Sequence, residues 1–294
     1  MGAKDLTAKK LEDYNDVFAD IYNTLLFDKE LIKEQQLDFG PTESIYKAAD
    51  DGNAEQRRDT LKNYRNEMRF IIAAFGMENQ STLDDTMPIR IMGYDFGSYH
   101  QQLTQKKRNT KQLYPVITIV LNFSDKRWHD KKSLHDILTI PKEFKEYVQD
   151  YKICVFDIAF LDDETIGKFQ SDFKHIARFF KDKRLKKSSW SEDRTSVKYP
   201  AEIAEFLTVF TGDRRYIDTT EYIVQRKEKG ENVTMCTIAQ ALEDRGIQKG
   251  MQKGIGAMYS LVHEHIITPE IAAQKLDVSV EELESMFKEY GYTD

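Results

Sequence analysis

The run Phe70-Ile-Ile-Ala-Ala-Phe-Gly-Met-Glu78-Asn-Gln80 constrains the fold of this chain more than any other stretch. An apolar run of this length, bounded by polar residues, reads as a buried strand. It ends in a carboxylate and an amide two residues apart. Strand side chains alternate between faces, so Glu78 and Gln80 point the same way. A buried strand that delivers a charge to its end needs a reason, because an unpaired buried charge is costly. A divalent metal is one such reason.

The segments around this strand order themselves as an α/β protein. Leu11, Tyr14, Phe18, Ile21 and Leu25 recur at spacings of three and four, which predicts an amphipathic helix over residues 6–27 with Thr7 as its N-cap. Asp13, Asp16 and Asp20 share another face of it. Short strands are expected over 44–49 and 56–64 ahead of the strand at 69–78, then a helix over 89–107 weakened by Gly93 and Gly97. Residues 114–123 and 151–160, rich in apolar and β-branched side chains, read as two further strands, with Cys154 inside the second as a core residue. Helix, three strands, helix, strand, strand makes a mixed central sheet flanked by helices.

Beyond residue 164 the pattern is helical. The polar stretch 187–196 reads as a linker, and residues 237–264 as a long helix with Gly246, Gly250 and Gly254 along one face. Thr268-Pro269-Glu270 and Ser279-Val-Glu-Glu282 are helix N-terminal signals. The expected division is a core over residues 1–185 and a helical region over 199–294 serving oligomerisation or regulation. The glycine face is the candidate dimer interface.

Composition limits the setting. With 40% hydrophobic and 12% aromatic residues among 294, the chain is expected to be globular. Two distant cysteines give no disulfide framework and fit a reducing cytosol. No apolar run reaches transmembrane length, and the first residues do not form a signal peptide. A cytoplasmic protein without a membrane partner is therefore expected. The net charge of −7 is unevenly spread. Seven basic residues against Asp182 fall between Lys174 and Lys187, Lys181, Lys183 and Arg184 among them. Lys106, Lys107 and Arg108 form a second cluster, and the tail from Glu270 is acidic. Such segregation suits a phosphate-binding face and a separate partner-binding end. A solvated surface explains either cluster alone equally well.

Asp59, on a neighbouring strand, completes the spacing D-x18-E-x-Q with Glu78 and Gln80. Two carboxylates on adjacent strands suit Mg²⁺, a hard cation that prefers oxygen ligands. The metal would polarise a phosphodiester and activate water, with Gln80 orienting that water. By itself this spacing carries little information. The six histidines show no metal-type spacing, and the two tryptophans read as packing or loop anchors.

The wider text is more specific. Lys4 to Asp16 (KDLTAKKLEDYND), Tyr46-Lys47-Ala48, Arg57-Arg58-Asp59, Gly76-Met77-Glu78-Asn79-Gln80, Met87-Pro88-Ile89-Arg90, Gly93-Tyr94-Asp95, Ser171-Asp172-Phe173 and Leu207-Thr208…Thr211-Gly212-Asp213 together resemble the Rpn family. These are recombination-promoting nucleases, also described as putative transposases, in the PD-(D/E)XK nuclease superfamily. The resemblance implies a restriction-endonuclease-like core and a Mg²⁺-dependent DNA endonuclease, with Mn²⁺ as a substitute. It implies a role in recombination, mobile elements or phage defence. Asp59 and Glu78 match the metal-binding acids, and Gln80 stands where many members have lysine. Glutamine orients water by hydrogen bonds but carries no charge. The first helix often supplies a further acid. Here the family's D-x-x-F pattern puts Asn15 at the acid position; adjacent Asp16 is the favoured candidate, with Asp20 one turn on as the next. Lys106, Lys107, Arg108, Lys181, Lys183 and Arg184 would contact the DNA backbone, and a dimer would serve two strands. The rival readings are a non-catalytic binding member of the fold and a nuclease masked by its own acidic tail.

Overall fold

The computed structural model describes residues 11–47, 53–104 and 113–292, with the backbone alone for 43–47 and 53–57. Thr7, Lys106, Lys107 and Arg108 lie outside the described residues.

Among the described residues seven strands form: β1 (Leu37–Phe39), β2 (Glu43–Lys47), β3 (Asn53–Arg57), β4 (Thr60–Arg65), β5 (Ile71–Gln80), β6 (Val116–Asn122) and β7 (Cys154–Asp157). Five of them make one mixed sheet in the order β1-β4-β5-β6-β7. β1 and β5 both run antiparallel to β4, while β5, β6 and β7 run parallel. β2 and β3 pair separately as a hairpin. β5 is central and flanked by strands on both sides, which is why its sequence is a continuous apolar run rather than an alternating one. The stretch expected as a single strand over 56–64 is instead split. The chain breaks strand geometry at Arg58–Asp59, between β3 and β4.

The N-terminal helix is broken too. Leu11 and Glu12 are helical, Tyr14 is extended (φ −72°, ψ 125°), and α1 (Asn15–Tyr22) follows before passing into a π-helical turn over Asn23–Phe27. The break is filled by Lys62, whose Nζ donates to the Asp13 carbonyl at 2.6 Å and to Asn15 Oδ1 at 2.7 Å. A buried ammonium is costly, and burial lowers the Lys62 pKa to about 8. The faces of Phe18 and Phe39 lie about 5 Å from its Nζ.

The longer helices of this unit that follow β5 are α2 (Met87–Thr104), α3 (Phe173–Leu185), α4 (Pro200–Thr211) and α5 (Thr220–Glu228). Phe123, one residue past β6, packs against Phe173 and Phe180 of α3 and Phe206 and Phe210 of α4 with ring centroids 4.9–6.3 Å away. Each well-buried phenyl ring contributes on the order of 2–3 kcal/mol through the area removed from water. This cluster ties α4 to the sheet, so the first compact unit runs through Cys236, well past residue 185. Asp172 strengthens the join by accepting the backbone N–H groups of Lys198 and Tyr199. Trp190 is an anchor here, edge-on to Phe179. Cys154, expected in the core, is exposed at the start of β7.

The second unit covers residues 237–294. α6 (Met235–His263), α7 (Pro269–Leu276) and α8 (Val280–Glu289) supply its core of Ile255, Ala272, Ala273, Leu283 and Phe287. Thr268 and Ser279 cap α7 and α8 as expected, Ser279 within a full capping box with Glu282. A Cβ added at Gly246, Gly250 or Gly254 would meet open space. Among the described residues no helix is long and apolar enough to cross a membrane.

Candidate active site

The site forms where the β4–β5 ladder ends. Their last paired residues are Thr60 and Met77. Beyond that point the two acids replace the ladder with side-chain bonds. The Asp59 N–H donates to Glu78 Oε1 at 3.1 Å, and the Asn79 N–H donates to Asp59 Oδ2 at 2.8 Å. Each carboxylate thus accepts a main-chain bond from the other's segment, Glu78 from Asp59 just ahead of β4 and Asp59 from Asn79 of β5, and the expected pair is held together. On the other side of β5, Glu78 lies in register with Val120 and Gln80 with Asn122. Gln80 ends the strand half-buried, two residues beyond Glu78.

Two features hold Asp59 in place through its neighbour Arg58. The Arg58 guanidinium, itself buried, pairs with Asp95 of α2 at 3.0 Å and lies 3.4 Å from Thr118 Oγ1 of β6. Asp95 also accepts from Thr118 Oγ1 at 2.6 Å and from the Tyr151 hydroxyl. The guanidinium crosses β5 at Gly76. A Cβ there would lie 2.7 Å from Thr118 Oγ1 and closer still to Arg58. Gly76→Ala is therefore expected to cost about 1–3 kcal/mol, the usual range for overpacking. Reduced cleavage beside this loss in urea unfolding would link Arg58 to the placement of Asp59. Unchanged stability would contradict the close packing.

The further acid whose charge interacts with Asp59 and which is buried beside Thr60 is Glu12, whereas Asp16 is engaged by Lys198 and Tyr199. Glu12 is buried to 1% exposure and accepts from Thr60 Oγ1 at 3.3 Å. Its Oε1 has no hydrogen-bond partner. Burial, reinforced by the Asp59 charge, pushes its pKa up to about 8. Both side-chain polar atoms of Asn79 are buried without a hydrogen bond of normal geometry, although the amide lies near enough to Glu12 to favour its ionised form. Glu78 is likewise held well above the usual carboxylate range, by burial first and then by Asp59, with Arg90 opposing. Arg90, from the first turn of α2, lies 3.6 Å from Glu78 Oε2 and 2.8 Å from Asp84.

Asp16 points elsewhere. Its carboxylate takes Lys198 Nζ at 2.8 Å and the Tyr199 hydroxyl at 3.0 Å, and so fastens α1 to the chain entering α4. Asp20, one turn on, accepts two backbone N–H groups and the hydroxyl at Gln170–Ser171. Lys62 faces α1, as its register opposite Phe75 requires. Tyr99 is committed to the Val116 N–H. The basic residues of α3 divide. Lys181 and Arg178 both pair with Asp163, whereas Lys183 and Arg184, with Lys186, line a cleft opening at Ser81.

The donor set suits a hard cation. It offers oxygen atoms only, two of them on carboxylates held in place by main-chain bonds, with a partnerless Glu12 oxygen on a carboxylate that the Asp59 charge reaches. Among the described residues no three His, Cys, Asp or Glu side chains converge closely enough to enclose an ion by themselves. Mg²⁺ does not require such a cage, since it keeps several waters and commonly takes one or two carboxylates plus substrate phosphate oxygens.

Residues 65–190 match the family model described as putative transposase, YhgA-like. Glu78, Gln80 and Arg90 fall inside that segment, and Asp59 and Glu12 precede it. Comparison with curated proteins and with solved structures gives no significant match.

Proposed function

We propose that this chain, whose residues 65–190 match the YhgA-like putative transposase model, is a member of the Rpn family and a Mg²⁺-dependent endodeoxyribonuclease. One observation carries most weight: Asp59, just ahead of β4, and Glu78 of β5 are clasped at one spot although both are buried and repel each other. Like charges held this close are electrostatically unfavourable, and such an arrangement is characteristic of a functional site. A bound Mg²⁺ supplies Lewis acidity toward the phosphodiester and lowers the pKa of water at the site.

The protein's own groups have distinct tasks in this reading. Asp59 and Glu78 hold the ion, with Mn²⁺ as a substitute. Gln80 orients the attacking water through its amide, which can both donate and accept. Glu12 lends further negative charge from the α1 side once it ionises. Arg90 restrains Glu78 and is placed to share in neutralising the scissile phosphate. Lys183 and Arg184 contact the strand backbone without reading sequence. In this reading the protein is a cytoplasmic homodimer joined through the glycine face of α6.

The test is incubation of supercoiled plasmid with the full chain, with and without Mg²⁺, beside Asp59→Ala/Glu78→Ala. Metal-dependent nicking or linearisation that the double variant loses is expected. No cleavage with either Mg²⁺ or Mn²⁺, by the full chain or by a chain truncated after Cys236, would favour a binding protein of the same fold.

A further inference from the structure

Ser81 follows Gln80 directly, and a cleft of about 440 Å³ opens beside it. Its walls come from the ends of parallel strands β5 and β6 and from α3 and α4. Ligands of α/β sheets gather at the carboxyl ends of parallel strands. The volume lies within the range of small-ligand pockets.

The lining has two characters. Phe123, Phe180 and Phe210 form an apolar floor, and Lys183, Arg184 and Lys186 a cationic rim. Among the described residues none of these three cations is paired with a carboxylate, in contrast to Arg178 and Lys181 earlier on α3. Asp125, on the lip, is the single acid of the lining. Arg184 is fixed in place. Its Nε donates to the Ala159 carbonyl at 2.8 Å, and its guanidinium lies over Phe160 at 4.3 Å. At the end of α3 the Asp182 and Lys183 carbonyls accept from the backbone N–H of Lys186.

An apolar floor beneath a cationic rim matches the two halves of a nucleotide, a flat base and a phosphate. Base pairs of an intact duplex cannot reach into a recess, whereas an unpaired base can turn out of the stack. Ser81 lies three residues past Glu78, about 10 Å along the strand, within reach of a neighbouring nucleotide.

We propose that this cleft takes one unpaired nucleotide of the substrate strand beside the bond that is cut, so that the preferred substrate carries a single-stranded end or gap. Its placement beside the cut bond rests on the nuclease reading; nucleotide capture itself does not.

The test is metal-free binding to the full chain, read by fluorescence anisotropy. A labelled single-stranded oligonucleotide is compared with a blunt duplex of the same sequence. The variants are Lys183→Glu/Lys186→Glu, which reverses the rim, and Ser81→Trp, which fills the mouth without changing charge. Thermal unfolding checks that each is folded. The single strand is expected to bind roughly tenfold or more tighter than the duplex. Ser81→Trp should remove that preference while leaving duplex binding, and the rim reversal should weaken single-strand binding at least as much. Equal affinities in the wild type, or a preference untouched by Ser81→Trp, would overturn the proposal. Displacement of the strand by micromolar deoxymononucleotide would also overturn it, in favour of a site for free nucleotide. Because metal and turnover are absent, failure of plasmid cleavage would leave this result unaffected.

Discussion

Asp59→Asn is expected to lower DNA cleavage on the order of 10²- to 10³-fold or more, the scale on which removal of one transition-state electrostatic contact is felt, while making the protein more stable. The two effects have one cause. Asp59 raises the proton affinity of both Glu12 and Glu78 by repulsion. An asparagine oxygen can still accept the Asn79 N–H now bonded at 2.8 Å, but brings no charge. Relief of repulsion at a functional site commonly gains about 1 kcal/mol. For a unit of this size that raises Tm by about 2–4 °C. Differential scanning calorimetry of the metal-free protein at pH 7.5, beside the plasmid assay, reads both. A variant that is inactive and less stable would make Asp59 a structural residue instead.

The second large effect is a pH dependence of stability carried by Glu12. Its folded pKa is near 8 against 4.5 in the unfolded chain. Below about pH 4.5 it is protonated in both states, and its contribution to stability is complete. As pH rises from 4.5 toward 8 the unfolded chain releases the proton and the folded protein retains it. Stability then falls by about 1.4 kcal/mol per pH unit, several kcal/mol in all. Glu78, displaced in the same direction, adds to the slope. Urea unfolding of metal-free wild type and Glu12→Gln between pH 5 and 8 isolates the Glu12 share. The two curves should diverge as pH rises, with the variant more stable at pH 8. Saturating Mg²⁺ should raise wild-type stability most at the alkaline end. Parallel curves would contradict the burial of Glu12 beside Asp59.

The sequence revealed β5 and its terminal acid because both are local: an apolar run needs no partner to be recognised. The mixed sheet followed from the order of such runs. Glu12 was hidden by the break at Asp13–Tyr14. Leu11, Tyr14 and Phe18 keep helical spacing straight through it, so the periodicity predicts one helix whose acids at 13, 16 and 20 share a face. What opens the helix is Lys62, distant in sequence, filling the gap. The same tertiary contacts turn Asp16 toward Lys198. Arg90 and the cleft at Ser81 depend on how α2, α3 and α4 pack on the sheet, which no spacing within one segment encodes. The division of the α3 cations likewise depends on Asp163, on a separate short helix.

The most direct measurement is a Mn²⁺ titration followed by electron paramagnetic resonance, using wild type, Asp59→Asn and Asp16→Asn at pH 8. One ion per chain in the wild type and in Asp16→Asn, with the site lost in Asp59→Asn, is the expected result. Equal binding by wild type and Asp59→Asn, or none by either, would contradict a metal centre at the end of β4 and β5.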